Sequence, residues 1–556
     1  MASREKYLWA AALTAAALSA CTTGTLSDPP GDGTTPGGPS GPQAFKPPAP
    51  TIRRLLARQY KSSIRDLLGD AAAAAAEPPA DSSLNGFDAI GAAQLGVSDD
   101  AVTKYEVSAR AVAAAAMGDT ARIATFLSCD PAAPGSAAAA TACRKDFARS
   151  FGRLAFRRPL DTEEVDRYAG VAEVASAELG DFNSGIEYAI LAFLQSPSFL
   201  YQVEIGTIDP TRPTLRRLDG YEMASRMSYF LVGSTPSPEL LDAAEKGTLN
   251  DAEGARKAAL ALLAKPEARA ALDSFYAELL RLRELDSLVK DENAFPQFSP
   301  KLAQAMREET LRLIDDVVWD QNGDYRDVLD ADYTFVNGDL ASLYGLPAPE
   351  GDGSDFIKVQ LPEEQKRGGI LGQASFLSLF SHTSLSSPTL RGKFVRERLL
   401  CQAIPAPPPN VNTVLPSDPN AKTARQKLEV HQTAPGCKSC HVAMDLIGFG
   451  LENYDAVGAF RTTENGETID SKSEIEGMGS FDGARQLGGL LRDQPEVTSC
   501  VVRNIFRSAT GHIDTSGESP ALKELDASFA DSGYRMQDLL VELVASDAFR
   551  LVGVVE

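Results

Sequence analysis

Positive charge is what this chain is short of. Its 54 Lys and Arg stand against 76 Asp and Glu, a formal net charge of -22 at pH 7. Nucleic-acid binding needs a basic footprint to neutralise phosphates, so no nucleic-acid partner is expected. Electrostatic docking on an anionic membrane is disfavoured for the same reason. The acidic surface reads as a solvated face, with a redox partner protein in the cell envelope as the macromolecular partner the chemistry below would use. Tryptophan is nearly missing, at two residues in 556, which weighs against a sugar-stacking platform. After the first twenty residues no segment offers the ~18 uninterrupted apolar residues of a membrane span. Histidine is limited to four residues and cysteine to seven, so each position is informative.

The N-terminus has the parts of an export signal. Arg4 and Lys6 form a short basic region and Leu8 to Leu18 an apolar, Ala-rich one. The run is too short to span a bilayer, so it reads as a signal peptide over 1–21. It ends in Leu18-Ser19-Ala20-Cys21, which resembles a bacterial lipobox whose cysteine is lipidated; the alternative is ordinary cleavage near Ala20. The expectation is an exported protein held to the bacterial cell envelope by lipid alone, at the outer membrane on its periplasmic or surface side. Residues 22–50 are Gly, Pro, Thr and Ser with few large apolar side chains, which predicts a disordered tether.

Setting Cys21 aside leaves six cysteines. Cys437-Lys438-Ser439-Cys440-His441 is a C-x-x-C-H motif. Two thiols at this spacing can add to the two vinyl groups of a haem, and the adjacent histidine then ligates the iron. One covalent c-type haem, held by Cys437 and Cys440 with His441 as proximal ligand, is the leading expectation. A dithiol site, a structural disulfide and a zinc site are the alternatives. Zinc would need two more soft ligands, and the near candidate is His431. Cys129 and Cys143 bracket a short Pro/Gly/Ala loop and pair as a local disulfide. Cys401 and Cys500 are matched by exclusion across the motif region.

The sixth iron ligand has one candidate with suitable separation, Met478 in Glu476-Gly477-Met478-Gly479. Met444 lies too close to His441 to reach the opposite face of the ring. His431, His512 and Met536 are weaker choices. His382 sits in a Ser/Thr-rich loop with no nucleophile and Asp arrangement around it, so no hydrolase triad is expected.

Along the body the dominant period is helical. Leu56, Tyr60, Ile64, Leu67 and Leu68 make one apolar stripe over Arg53 to Leu68; Ile186, Ile190, Phe193 and Leu194 make another that stops before Pro197. Met223, Met227, Phe230 and Leu231 form a third, and Leu302, Met306, Leu313 and Val317 a fourth. Strand alternation is confined to short pieces, best at 333–336 and 356–359. The fold expected is mainly α, with several small helical domains in tandem, few short strands and a cytochrome c-like helical region near the C-terminus. The segment 189–199 weakly echoes 540–549, both running from an apolar helix into Ser-x-x-Phe. Helix termination accounts for that much.

Several blocks carry a family resemblance. Arg53-Arg54-Leu55-Leu56-Ala57-Arg58-Gln59-Tyr60 with Arg65-Asp66-Leu67-Leu68-Gly69, Ala155-Phe156-Arg157-Arg158-Pro159-Leu160, and Ala224 to Leu231 are three of them. Others are Ala331 to Asn337 with Tyr344-Gly345-Leu346, Arg367-Gly368-Gly369-Ile370-Leu371, Ser386-Ser387-Pro388 with Arg391-Gly392, and the proline-rich run 405–409. Together with the C-x-x-C-H they resemble a multidomain secreted family first noted in planctomycetes, with tandem domains of unknown function and a cytochrome-like domain. The resemblance implies helical domains over 51–120, 143–205, 214–346 and 474–552 and a cytochrome-like domain over 366–465. After His441 the chain departs from the family pattern, with Leu446 after Met444-Asp445 where the family places proline. Two functions follow: a lipid-anchored c-type cytochrome-like protein that transfers electrons or couples an oxidoreduction, or a surface scaffold or glycan-binding lipoprotein with a structural disulfide at the motif. Beyond the motif, Phe449 and Tyr454 are placed either on a porphyrin edge or in a structural loop whose Glu452 and Asp455 hold Arg461.

Overall fold

Each amphipathic stripe becomes a helix that buries its apolar face. Tyr60, Ile64, Leu67 and Leu68 are all at most 1 % exposed on the helix Ala57–Leu68. That helix begins later than the periodicity predicts, because Thr51–Arg54 is a strand paired antiparallel with Tyr201–Glu204. The reason is Arg53, which turns inward to meet the buried Glu204 at 2.6 Å. An extended backbone delivers it to the opposite face from Ile52. The computed structural model describes residues 44–351, 353–405, 420–433 and 437–554. Cys21, the signal segment, most of the tether and Ala406 to Pro409 of the proline-rich run lie outside the described residues.

The helices Phe182–Leu194, Gly220–Leu231 and Pro300–Asp315 realise the other stripes, the last continuing through a π-helical turn, Asp316–Asp320. The predicted strands pair as a hairpin, Tyr333–Val336 with Ile357–Gln360. All strand pairs are antiparallel and the strands are two to four residues long, so the protein is mainly α with tandem small helical units. Residues 45–556 form one compact unit. The end of the supposed tether belongs to it: Lys46 N–H donates to Gly517 O at 2.8 Å and Gly553 N–H to Pro48 O at 2.7 Å. These backbone bonds fix residues read from composition as disordered.

Two apolar clusters organise the packing. One gathers residues between Leu55 and Phe199, together with Tyr229; the other runs from Phe87 through Val552 and is shared by the third, cytochrome-like and C-terminal segments. Family blocks mark the joints. Thr334 Oγ1 and Tyr344 OH both donate to the fully buried Glu309, at 2.7 and 2.8 Å, and burial pushes that carboxyl up to about 7. Asn337 caps Gly338–Tyr344 by accepting from Leu340 N–H, and Gly345 closes it at φ +65°.

The weak echo extends to the order of elements around it, apart from the short turn Ser516–Glu518 present in the second segment alone. Ala137–Ala155, Thr162–Leu179, Phe182–Leu194, the single turn Pro197–Leu200 and the strand Tyr201–Glu204 match Pro495–Thr510, Ser519–Asp531, Met536–Ala545, Asp547–Arg550 and Leu551–Gly553 in order. Phe199 and Phe549 are both fully buried. Each carbonyl accepts from an incoming arginine, Arg157 at the first and Arg226 at the second. The first helix of each unit carries a disulfide: Cys129–Cys143 and Cys401–Cys500 are both bridged.

Candidate functional site around Cys437 and His441

The motif sits at the start of a helix, Lys438–Phe449, with Cys437 as its N-terminal cap residue. His441 N–H donates to Cys437 O at 3.0 Å, so the first turn is formed. Positions i, i+3 and i+4 share one face of a helix, which places Cys437, Cys440 and His441 together. Both thiols are free and half-buried. The same face continues inward through Met444, Asp445 and Gly448, all buried.

That inward face packs on the helix Pro388–Phe394, and two glycines let it. A side chain at Gly392 would collide with Met444 O, and one at Gly448 with Pro388 O. Ser387 caps the partner helix by accepting from Leu390 N–H, and Pro388 stands at its first position. Arg391, fully buried, donates to the carbonyls of Leu451, Tyr454, Leu377 and Asp455 at 2.8, 3.0, 3.1 and 2.7 Å. The block Ser-Pro…Arg-Gly therefore exists to seat the motif helix and lock the loop that follows it.

His441 is held from within. Its Nδ1 lies 2.9 Å from Asp445 Oδ2, and Thr389 Oγ1 donates to Asp445 Oδ1 at 2.7 Å. Burial pushes the Asp445 carboxyl up, while the bonds from Thr389 and His441 pull it down. A carboxylate at Asp445 can only accept, so this contact favours the tautomer with the His441 proton on Nδ1 and leaves Nε2 free of it. His431, on Ala424–Thr433, meets the His441 ring edge-on with centroids 4.6 Å apart. Burial is the main influence lowering its pKa, followed by His441, and its Nδ1 is buried without a partner among the described residues. Imidazoles in edge contact leave no room for a porphyrin between them, so in this arrangement His431 is a wall of the site.

The other candidates are employed elsewhere. Met478 is half-buried in the turn joining Lys472–Ile475 to Gly479–Asp482, packed against the larger apolar cluster. The strand entering that turn contacts the motif helix, Ser473 Oγ donating to Leu446 O at the helix's buried end. His512 Nε2 lies 2.9 Å from Glu518 Oε1, and Met536 is a buried core residue. His382 is exposed in a loop held by Lys290, which donates to Ser378 O, Ser381 Oγ and His382 O. Phe449 and Tyr454 are fully buried, the first under the Arg425 guanidinium at 4.4 Å. Glu452 holds Arg461 and Arg391, at 3.1 and 3.4 Å, as the structural-loop reading expects. Asp455 instead accepts from Val457 and Ala459 N–H, closing its own turn.

Among the described residues no three His, Cys, Asp or Glu side chains converge to hold a metal ion, so a closed four-ligand zinc site is not formed. A covalently attached haem asks less of the chain: two free thiols and one oriented imidazole, which are present. Sequence reasoning missed Asp445 and Thr389. The signal for Asp445 was available, since it lies four positions beyond His441 on the same face; the partner Thr389 is 56 positions away.

Five family profiles match the chain in succession, four described as proteins of unknown function of the PSD type: DUF1587 at 53–118, DUF1595 at 143–204, DUF1592 at 218–346 and DUF1585 at 479–549. The fifth, PSCyt3 (protein of unknown function, DUF1588), matches 367–464 and contains the motif helix. No curated protein and no solved structure matches the chain. In this order, over nearly the whole described body, the five profiles show that the chain belongs to the planctomycete-type multidomain cytochrome-like family.

Proposed function

We propose that this protein is an exported, lipid-anchored c-type cytochrome-like protein that transfers electrons or couples an oxidoreduction. The observation that carries the reading is the pairing of two free thiols, Cys437 and Cys440, with a histidine on the same helical face whose Nδ1 is tied to buried Asp445. Cys437 and Cys440 would form the thioethers and His441 would be the proximal ligand. Bound there, haem supplies one-electron redox chemistry. The chain's part is positional: Asp445 and Thr389 orient the imidazole, Gly392 and Gly448 seat the helix, and the Arg391 clamp fixes the loop behind it. Cys21 would carry the lipid, with residues 22–44 as the spacer and a redox protein of the envelope as partner. Met478, in the turn between Lys472–Ile475 and Gly479–Asp482, would be the candidate for a second iron ligand.

The test is expression with its export signal in a host that matures c-type cytochromes, followed by haem staining of denatured protein and a pyridine haemochrome spectrum. Covalent haem is expected to bridge the two tryptic peptides 428–438 and 439–461, which are cut apart at Lys438 and carry one motif cysteine each. Exported protein with a Cys437–Cys440 disulfide and no haem adduct would overturn the proposal in favour of a scaffold.

A further inference from the structure

A cavity of about 290 Å³ lies far along the chain from the motif, between segments of four of the five matched domains. Its lining combines two chemistries. Leu56, Phe230, Leu272, Phe275, Ile505 and Leu540 are apolar. Arg53, Arg54, Arg58 and Arg65 are charged, with two acids, Asp66 and Glu267, and the arginines are ion-paired beyond the lining with Glu204, Asp81, Asp88 and Glu278, and Asp70 respectively. Arg58, Ser62 and Arg65 fall at i, i+4 and i+7 of the helix Ala57–Leu68, so they form one polar stripe along the wall.

The arginines keep donors in reserve. A guanidinium has five N–H groups. Arg58 engages Asp88 and Glu278 through Nη1 alone, at 3.4 and 2.8 Å, and Arg65 engages Asp70 through Nε at 3.0 Å. Arg53 is 6 % exposed and gives Nη2 to Glu204 at 2.6 Å, while its Nε is buried with no partner among the described residues. A buried unpaired donor on a charged group costs stability unless something answers it. The volume lies at the lower end of small-molecule sites, about 300–1,000 Å³.

We infer that this cavity binds a small organic anion, its single carboxylate or sulfonate head on the Arg53, Arg58 and Arg65 side and its apolar body against Phe230, Leu272, Phe275 and Ile505. A hydrophilic anion would leave the apolar wall dry and uncovered, and a neutral apolar molecule would leave the guanidinium donors unanswered. The site is assembled from separate domains, so occupancy also ties the first, third and C-terminal segments together. It does not depend on haem at the motif.

The experiment uses the full-length exported protein and 8-anilinonaphthalene-1-sulfonate as fluorescent probe, with octanoate as competitor. Saturable one-to-one binding displaced by octanoate is expected, with the uncharged N-phenyl-1-naphthylamine at least tenfold weaker. Arg65→Glu, on a half-exposed side chain, should weaken the probe at least tenfold; Ala271→Trp, which fills the cavity from the helix Glu267–Leu279, should abolish binding. Circular dichroism and the thermal midpoint establish that each variant is folded. Absence of saturable binding, equal affinity for the uncharged analogue, or unchanged affinity in Arg65→Glu would overturn the inference. If Ala271→Trp does not fold, the Arg65→Glu arm decides alone.

Discussion

Removing the Cys401–Cys500 bridge by Cys401→Ser with Cys500→Ser should cost more than removing its local counterpart. The long bridge joins positions 99 apart and Cys129–Cys143 joins positions 14 apart. Restriction of the unfolded chain is worth about 4.7 kcal/mol for a loop of about 100 residues and about 3 kcal/mol for one of about 15. The difference, about 1.7 kcal/mol, is more than a tenfold change in the folding equilibrium. The native state adds little to either side: Cys500 is buried, and Asn504 Nδ2 lies 3.4 Å from its sulfur, so a serine hydroxyl there finds a partner. The bridge makes no contact with the Thr389–Asp445–His441 chain of hydrogen bonds. The native absorption spectrum of haem-loaded protein should therefore be unchanged while stability falls. Urea unfolding of the wild type and both double-serine variants, followed by circular dichroism, measures the order of the losses. A local-bridge variant that loses as much as the long-bridge variant would refute the reasoning, as would native, non-reduced protein in which Cys401 and Cys500 are both alkylated.

Three further outcomes are expected. Gly448→Ala drives a methyl group into Pro388 O and should destabilise by about 1–3 kcal/mol, an overpacking cost visible in the urea midpoint; an unchanged midpoint would show that the two helices separate freely. Asp445→Asn should leave covalent haem in place, since Asp445 bonds neither thiol, yet weaken His441 as a ligand; titration with an exogenous axial ligand should show tenfold or greater change in affinity, and an identical titration would remove Asp445 from the site. Asp273 and Asp315 face one another; burial, then the neighbouring carboxylate, raises Asp273 to about 7, and burial raises Asp315 to about 6. The folded protein thus holds protons that the unfolded chain releases near the ordinary carboxylate value, so this pair's contribution to stability falls as pH rises from about 4 to 7 and is flat above. Asp273→Asn should flatten that part of a thermal-midpoint profile, and an equally steep profile in the variant would exclude the pair as its source.

Local chemistry made much of this molecule readable before any coordinates. The buried stripes follow from 3.6-residue periodicity, and the two disulfides from counting cysteines once the motif is set aside. The errors share a cause. Arg53 sits in a run that reads as the start of a helix, but Glu204, 151 positions away, draws it into a strand. Residues 45–50 read as tether because composition cannot register the backbone bonds to Gly517 and Gly553. For Phe449 and Tyr454 the sequence leaves a porphyrin edge and a structural loop equally open; the structure places both in the core, beneath Arg425 and Arg367 respectively.

The candidate site divides along the same line. Its donor atoms were legible because thiol spacing and an adjacent imidazole are local facts. Its orientation was not, because the residues that create it lie on another helix: Thr389 on the far oxygen of Asp445, Gly392 under Met444, Arg391 on three carbonyls of the loop after the motif helix and on Leu377 O. Those residues appear in the sequence only as an unexplained Ser-Pro…Arg-Gly block, fifty positions before the motif. Each becomes intelligible once the two helices are in contact. A tight crossing needs glycine on both sides, a loop whose carbonyls point inward needs a buried arginine, and a histidine fixed through Nδ1 needs a carboxylate that is itself held. The cavity walled by Arg53, Arg58 and Arg65 extends the argument. The arginines of the first family block look like the solvated face of an amphipathic helix until Phe230, Phe275 and Ile505 close over them from three other helices. Function in this chain is written where domains meet, and a window of sequence samples one side of each meeting.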